Sequence, residues 1–149
     1  ARRRIIKAAS CGPSSRTTSP RTRTCRRTFE AATRVNLGGM THEERVFLGV
    51  ALLHRYKSSR DNCRFEEVFS ILPAKDLAKA EVLGKAMRFG AMFAIDRPHE
   101  KATLHWRPKK RELHLSIKPE AADLFGEVAE ARFASLAQAL DADTVVKIV

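Results

Sequence analysis

Beyond Pro98 the spacing of apolar residues changes from about 3.6 to 2, which limits the chain to folds joining a helical part to a sheet-bearing part. Before that point, Leu77, Ala80, Leu83, Met87, Ala91 and Ala94 recur at three and four, and they predict a long helix from Asp76 to about Asp96. After it, Ala102, Leu104 and Trp106 alternate with Thr103, His105 and Arg107. Leu113, Leu115 and Ile117 then alternate with Glu112, His114 and Ser116, across a turn at Pro108 to Arg111. This predicts a hairpin with one apolar face. Pro119 is read as opening an amphipathic helix, with Glu120 and Asp123 in its first turn and Leu124, Val128, Leu136 and Leu140 facing inward. Thr144 to Val149 reads as a last strand.

Upstream, Ala31 to Leu37 reads as a short helix stopped at Gly38-Gly39. Thr41 and Glu44 have the spacing of a capping box, in which each residue's side chain satisfies a free amide of the other. The helix they open should run to about Tyr56, burying Val46, Phe47, Val50, Ala51 and Leu53 and ending on His54, Arg55 and Lys57. Arg64 to Leu72 predicts a second short helix, closed by Pro73. Gly84 and Gly90 lower helix propensity, so each is expected where another helix comes close. The fold class is therefore α+β, a helical unit followed by a small β-β-α-β unit, with 44% hydrophobic residues in 149 enough to bury a core.

A formal charge of +11 first suggests a nucleic-acid binder, but its placement matters more than its size. Residues 1–30 hold nine Arg or Lys against Glu30 alone, so +8 of the charge lies there and the rest of the chain is only mildly basic. Residues 1–28, rich in Arg, Ser, Thr and Pro, show no apolar period and are read as a disordered basic segment. Three readings of that segment stay open: a nucleic-acid-binding arm, an acid-poor targeting peptide, and a stretch translated out of frame, the last being favoured. The helical unit is then expected over 29–97 and the small α+β unit over 98–149. Cys11, Cys25 and Cys63 form neither a C-x-x-C pair nor a disulfide framework, and no run is apolar enough to span a bilayer. A soluble protein in a reducing cytoplasm, with no membrane partner, is the expectation.

Several segments resemble one family. These are Asn36-Leu37-Gly38-Gly39, Arg45-Val46-Phe47-Leu48-Gly49, Ala51-Leu52-Leu53-His54-Arg55-Tyr56, Leu83-Gly84-Lys85-Ala86-Met87-Arg88, and Gly126-Glu127-Val128 leading to Arg132 and Leu136. In order and spacing they are similar to the carboxy-terminal region of the exopolyphosphatase and guanosine pentaphosphate phosphohydrolase family, Ppx/GppA. The resemblance covers about Phe29 to Val149. It implies an HD-like helical domain, here incomplete, followed by a small α+β domain, the two serving dimer contacts and a basic channel for polyphosphate. It also implies that the actin-like ATPase domains, with the family's phosphate loops, catalytic carboxylates and any magnesium, lie outside this chain. The seven glycines form no strand-G-x-G loop, so the chain by itself is expected to be inactive and to hold no cofactor.

No catalytic set and no metal set is read from the chain. The five histidines are scattered, and only His105 and His114 are expected to neighbour one another, on the polar faces of the two hairpin strands. The candidate site is one for phosphate-rich anions: His54, Arg55, Lys57 and Arg88, cationic residues at or near the family-like segments. The competing reading makes Arg55 and Lys57 solvated partners of a helix dipole and Arg88 an edge-of-core residue. Two functions follow. One is a polyphosphate-binding and dimerising region of a hydrolase, and the other an independent basic protein that holds nucleic acid through residues 1–30.

Overall fold

The computed structural model describes residues 20–34, 38–57, 60, 65–94 and 98–149, which divide into two compact units, one ending at Arg88 and one running from Phe89 to Val149. It is an α+β protein. The elements are the helices α1 (Pro20–Arg34), α2 (His42–Tyr56), α3 (Glu66–Phe69), α4 (Ala74–Gly90), α5 (Pro98–Lys101) and α6 (Glu127–Ala139), with strands β1 (Ala102–Arg107), β2 (Glu112–Ile117) and β3 (Asp143–Ile148). Among the described residues no helix is long and apolar enough to cross a membrane.

In the helical unit, α2 begins as its sequence requires. The Thr41 hydroxyl accepts the Glu44 N–H at 3.2 Å, and the Glu44 carboxylate accepts the Thr41 N–H at 2.8 Å. Its buried stripe of Val46, Val50, Ala51 and Leu53 joins Phe29 of α1, Phe69 of α3, Leu72, and Ala80 of α4 in one core. Phe29 is the aromatic hub, stacked on Phe65 with ring centroids 4.4 Å apart and edge-on to Phe69 at 5.6 Å. Gly49 makes room for it, since a Cβ there would lie 3.0 Å from the Phe29 ring. The helix carrying Phe29 starts at Pro20, well before the Ala31 read from apolar spacing. Arginine extends a helix readily once Phe29 and Ala32 anchor it, and proline suits a first turn. Residues 1–19, including most of the expected disordered segment, lie outside the described residues.

Three other boundaries differ from expectation. α3 is only four residues long, and the chain leaves it through a tight turn in which Leu72 N–H bonds Phe69 O at 3.1 Å. α4 stops at Gly90 instead of near Asp96. Its continuation unwinds into turns closed by Met92 N–H to Phe89 O (2.9 Å) and Phe93 N–H to Gly90 O (3.0 Å), which fold Phe93 back onto Phe89. Gly90 therefore ends the helix and faces open space, while Leu83, read as buried, is 44% exposed. The single helix read from Pro119 is two: a 3-10 helix, Pro119–Leu124, and α6, separated where Gly126 is extended.

The second unit is a three-stranded sheet in the order β1-β2-β3. β1 and β2 form the expected antiparallel hairpin, with Leu104 opposite Leu115 and Trp106 opposite Leu113. β3 returns parallel to β2, which requires a crossover, here supplied by the 3-10 helix and α6. Leu113, Leu115 and Ile117 of β2 are buried, as are Ala129, Phe133, Leu136 and Ala137 of α6, at the helical spacing of one face. Phe133 is the centre of this core, 5.2 Å from the Phe89 ring and 6.1 Å from Phe125. Val128, read as an inward residue, is 58% exposed instead. The division at Arg88–Phe89 precedes the boundary expected after residue 97, because Phe89 and Phe93 pack with the second unit's aromatics.

Candidate anion-binding site

The site expected from sequence lies at the carboxy-terminal end of α2 and the last turn of α4, and one glycine sets its geometry. A Cβ at Gly84 would stand 2.2 Å from Ala51 O and 2.6 Å from His54 Cβ, so α4 touches the α2 backbone there and only glycine fits. Gly84 is thus the close contact its low helix propensity suggested. The approach buries His54 to 1% exposure, and its Nε2 lies 3.8 Å from Glu81 Oε2.

Glu81 organises what surrounds it. Its carboxylate accepts Lys85 Nζ at 2.7 Å, one helical turn on, and Arg60 reaches its other oxygen at 3.4 Å. Lys85 is buried at 7% exposure, so this pair is held largely out of water. Burial alone would raise the Glu81 carboxyl, but the hydrogen bond from Lys85 and the charges of His54, Lys85 and Arg60 outweigh it and hold the group below its ordinary value of 4.5. A carboxyl lowered by folding stabilises the protein in full above that ordinary value, and the stabilisation is lost as pH falls from there through the lower value of the folded state. Glu81→Gln should therefore cost about 1–2 kcal/mol near neutral pH, by leaving the buried Lys85 ammonium with a weaker partner. The wild-type advantage over this variant should start to shrink in a stability series taken downward from pH 4.5 and be gone only once the carboxyl is protonated in the folded protein as well. An advantage that persists there would mean Glu81 acts through shape and not charge.

Of the four residues expected to bind anions, the structure sets apart His54, whose burial withdraws it from any external ligand. It faces Glu81 and serves the helix contact. Arg55 is half-buried and already engaged, its Nη1 donating to Met87 O at 3.2 Å and its guanidinium 5.7 Å from the Tyr56 ring centroid. This bond brings Arg55 to the residue preceding Arg88, near the negative end of α4. Lys57 is the residue that caps α2, its N–H bonded to Leu53 O at 2.7 Å. Arg88 is half-buried in the last turn of α4. Arg55 and Arg88 are thus joined through α4, while His54 belongs to the Glu81 cluster.

Sequence reasoning missed Glu81, Lys85 and Arg60. The Glu81–Lys85 pair was legible as an acid four residues before a base, flanking the glycine of a close contact. Arg60 gave no signal, because it reaches Glu81 only through the fold. Elsewhere, His105 and His114 do stand opposite one another in the ladder. The His114 Nε2 turns to Glu112 Oε2 at 2.8 Å, and that hydrogen bond holds the Glu112 carboxyl below its ordinary value. Among the described residues no group of three or more His, Cys, Asp or Glu is arranged to hold a metal ion. A shallow depression of about 240 Å³ in the second unit is lined by Glu100, Glu120 and Asp123 as well as Lys101 and Lys118, a balance that does not favour an anion. No protein-family model matches the chain, and no curated protein matches it significantly.

Proposed function

We propose that this chain is the carboxy-terminal region of an exopolyphosphatase of the Ppx/GppA family, contributing polyphosphate binding and a dimer contact without catalytic residues of its own. One observation carries the reading. Two of the family-like segments, Ala51-Leu52-Leu53-His54-Arg55-Tyr56 and Leu83-Gly84-Lys85-Ala86-Met87-Arg88, are the two sides of a single contact, with Gly84 seated on Ala51 and His54. Segments separated in sequence are then related by packing, as parts of one inherited fold would be. Arg55, Lys57, Arg60 and Arg88 are all half-buried near this contact, and in this reading Lys57 and Arg88 would meet phosphate groups as charge and as paired donors.

A second reading has its own observation. α1 carries Arg21, Arg23, Arg26, Arg27 and Arg34 against Glu30 alone, so part of the arginine-rich tract is a strongly basic helix suited to nucleic acid. Because Phe29 of the same helix is core, the test substitutes side chains within the full chain and does not delete the segment. Polyphosphate affinity is measured for wild type, for Lys57→Gln with Arg88→Gln, and for Arg21, Arg23, Arg26 and Arg27 all changed to Gln. The first reading expects the Lys57/Arg88 variant to lose about tenfold in affinity, the worth of roughly one charged hydrogen bond, with the helix variant near wild type. The opposite pattern, with single-stranded nucleic acid bound better than polyphosphate, would establish the second reading in its place.

A further inference from the structure

We infer that the polar face of the three-stranded sheet binds single-stranded nucleic acid, with His105 and His114 as a platform for its bases and the cations of the hairpin turn for its phosphates. In β2, Leu113, Leu115 and Ile117 are buried, so Glu112, His114 and Ser116 between them turn to the opposite face, and none of these three is buried. The register extends that face to both sides. Arg107, Glu112 and Asp143 stand abreast across the three strands, and His105, His114 and Val145 form the next row. On the outer strands His105, Arg107, Asp143 and Lys147 are all exposed. The His114 ring is held by a hydrogen bond of 2.8 Å between its Nε2 and the Glu112 carboxylate, and His105 lies directly across the ladder from it. Two flat rings are thus placed side by side on strands of six residues, about 20 Å long, which is room for two or three bases.

Charge decides between the polyanions such a face could take. Arg107 at its end and Lys109 and Lys110 in the turn beyond are exposed, and the 3-10 turn, Pro108–Lys110, buries no residue. The turn is fixed in place. Arg111 N–H bonds Pro108 O at 3.3 Å, Arg111 O accepts Asp143 N–H at 2.8 Å, and the Arg111 guanidinium pairs with Asp141. Arg107, Lys109 and Lys110 therefore meet phosphates from a preset position. Beside them, Glu112 and Asp143 are neighbours in the register. A polymer of phosphate alone gains nothing from those two carboxylates and is repelled by them. A nucleic acid can use them, because carboxylates accept the exocyclic amino groups of bases while imidazole rings stack on their faces. Both contacts need unpaired bases, since a duplex keeps the base faces inside. A lipid surface would need apolar groups to insert, and the turn offers only Pro108.

None of these residues carries either reading of the function above, so the inference stands or falls apart from both. Fluorescence anisotropy of the full chain with a short fluorescein-labelled single-stranded RNA containing all four bases tests it. Wild type is expected to bind in the micromolar range. His105→Ala with His114→Ala should lose on the order of tenfold or more in affinity, the worth of one or two base stacks, and His105→Ala alone, at an exposed position, a part of that. His105→Tyr keeps a flat ring and should keep the affinity. Arg107, Lys109 and Lys110 all changed to Gln should weaken binding and flatten its logarithmic salt dependence by about 2, three phosphate contacts at roughly 0.7 each. The Trp106 fluorescence of each variant, from the other face of β1, checks that the sheet is intact. The inference is overturned if wild type does not bind the RNA, if binding is indifferent to the histidine substitutions, or if tyrosine at position 105 fails as badly as alanine. It is overturned equally if a duplex of the same sequence binds as well, or if affinity falls only when Arg21, Arg23, Arg26 and Arg27 are changed to Gln.

Discussion

A Phe29→Ala chain should lose about 4 kcal/mol of stability in the helical unit, the largest effect expected from any single truncation in it. The ring is 1% exposed, lies against Phe65 and Phe69, and fills the space left by Gly49, so no neighbour can close the cavity without moving a helix. Tyr56 is the only tyrosine and lies at the end of α2, so urea denaturation followed at its fluorescence reports this unit. A loss below about 1 kcal/mol would mean that α1 is not docked on α2 as described, since only an undocked Phe29 costs so little to truncate. The result bears on function as well, because a docked α1 places the arginines from Arg21 to Arg27 on a fixed element of the protein.

Gly84→Ala should cost about 3 kcal/mol, although alanine in a helix interior ordinarily gains close to 1 kcal/mol over glycine. The sign reverses because the new methyl would meet the backbone carbonyl oxygen of Ala51, which cannot rotate away as a side chain can. Relief requires α4 to lift off α2, and lifting separates Arg55 from Met87 O and loosens His54 against Glu81. Polyphosphate affinity should therefore fall together with the urea midpoint if the Lys57 and Arg88 surface is the binding site. Stability unchanged or improved in this variant would show that the two helices do not touch there, and the support for a shared family origin would go with it.

Much of this was legible along the chain, because local physics acted alone there. The Thr41–Glu44 box, the α2 stripe, the Pro108 to Arg111 turn and the period-two strands each depend on neighbours within a few residues, and each formed as read. The readings that shifted are those where a helix's inner face depended on a distant partner. Leu83 and Val128 fit a helical stripe by spacing, but α4 meets α2 through Gly84 and leaves Leu83 exposed, and α6 begins afresh after Gly126 with Phe133 inward. The candidate site followed the same division. Basic residues at the end of α2 were visible in sequence, whereas their roles were not, since His54 is turned inward and Arg55 is bound to Met87 O by contacts across the fold.

The sequence by itself determined the class of the protein: an α+β chain, helices first, with its positive charge concentrated before residue 30. Period, capping and charge are properties of short stretches and need no fold to be expressed. Only the tertiary structure decided that Glu81 gathers Lys85, Arg60 and His54, that Gly84 is a seat for α2, and that β3 lies parallel to β2. Each of these depends on a distance between residues far apart in the chain, set by how two faces pack.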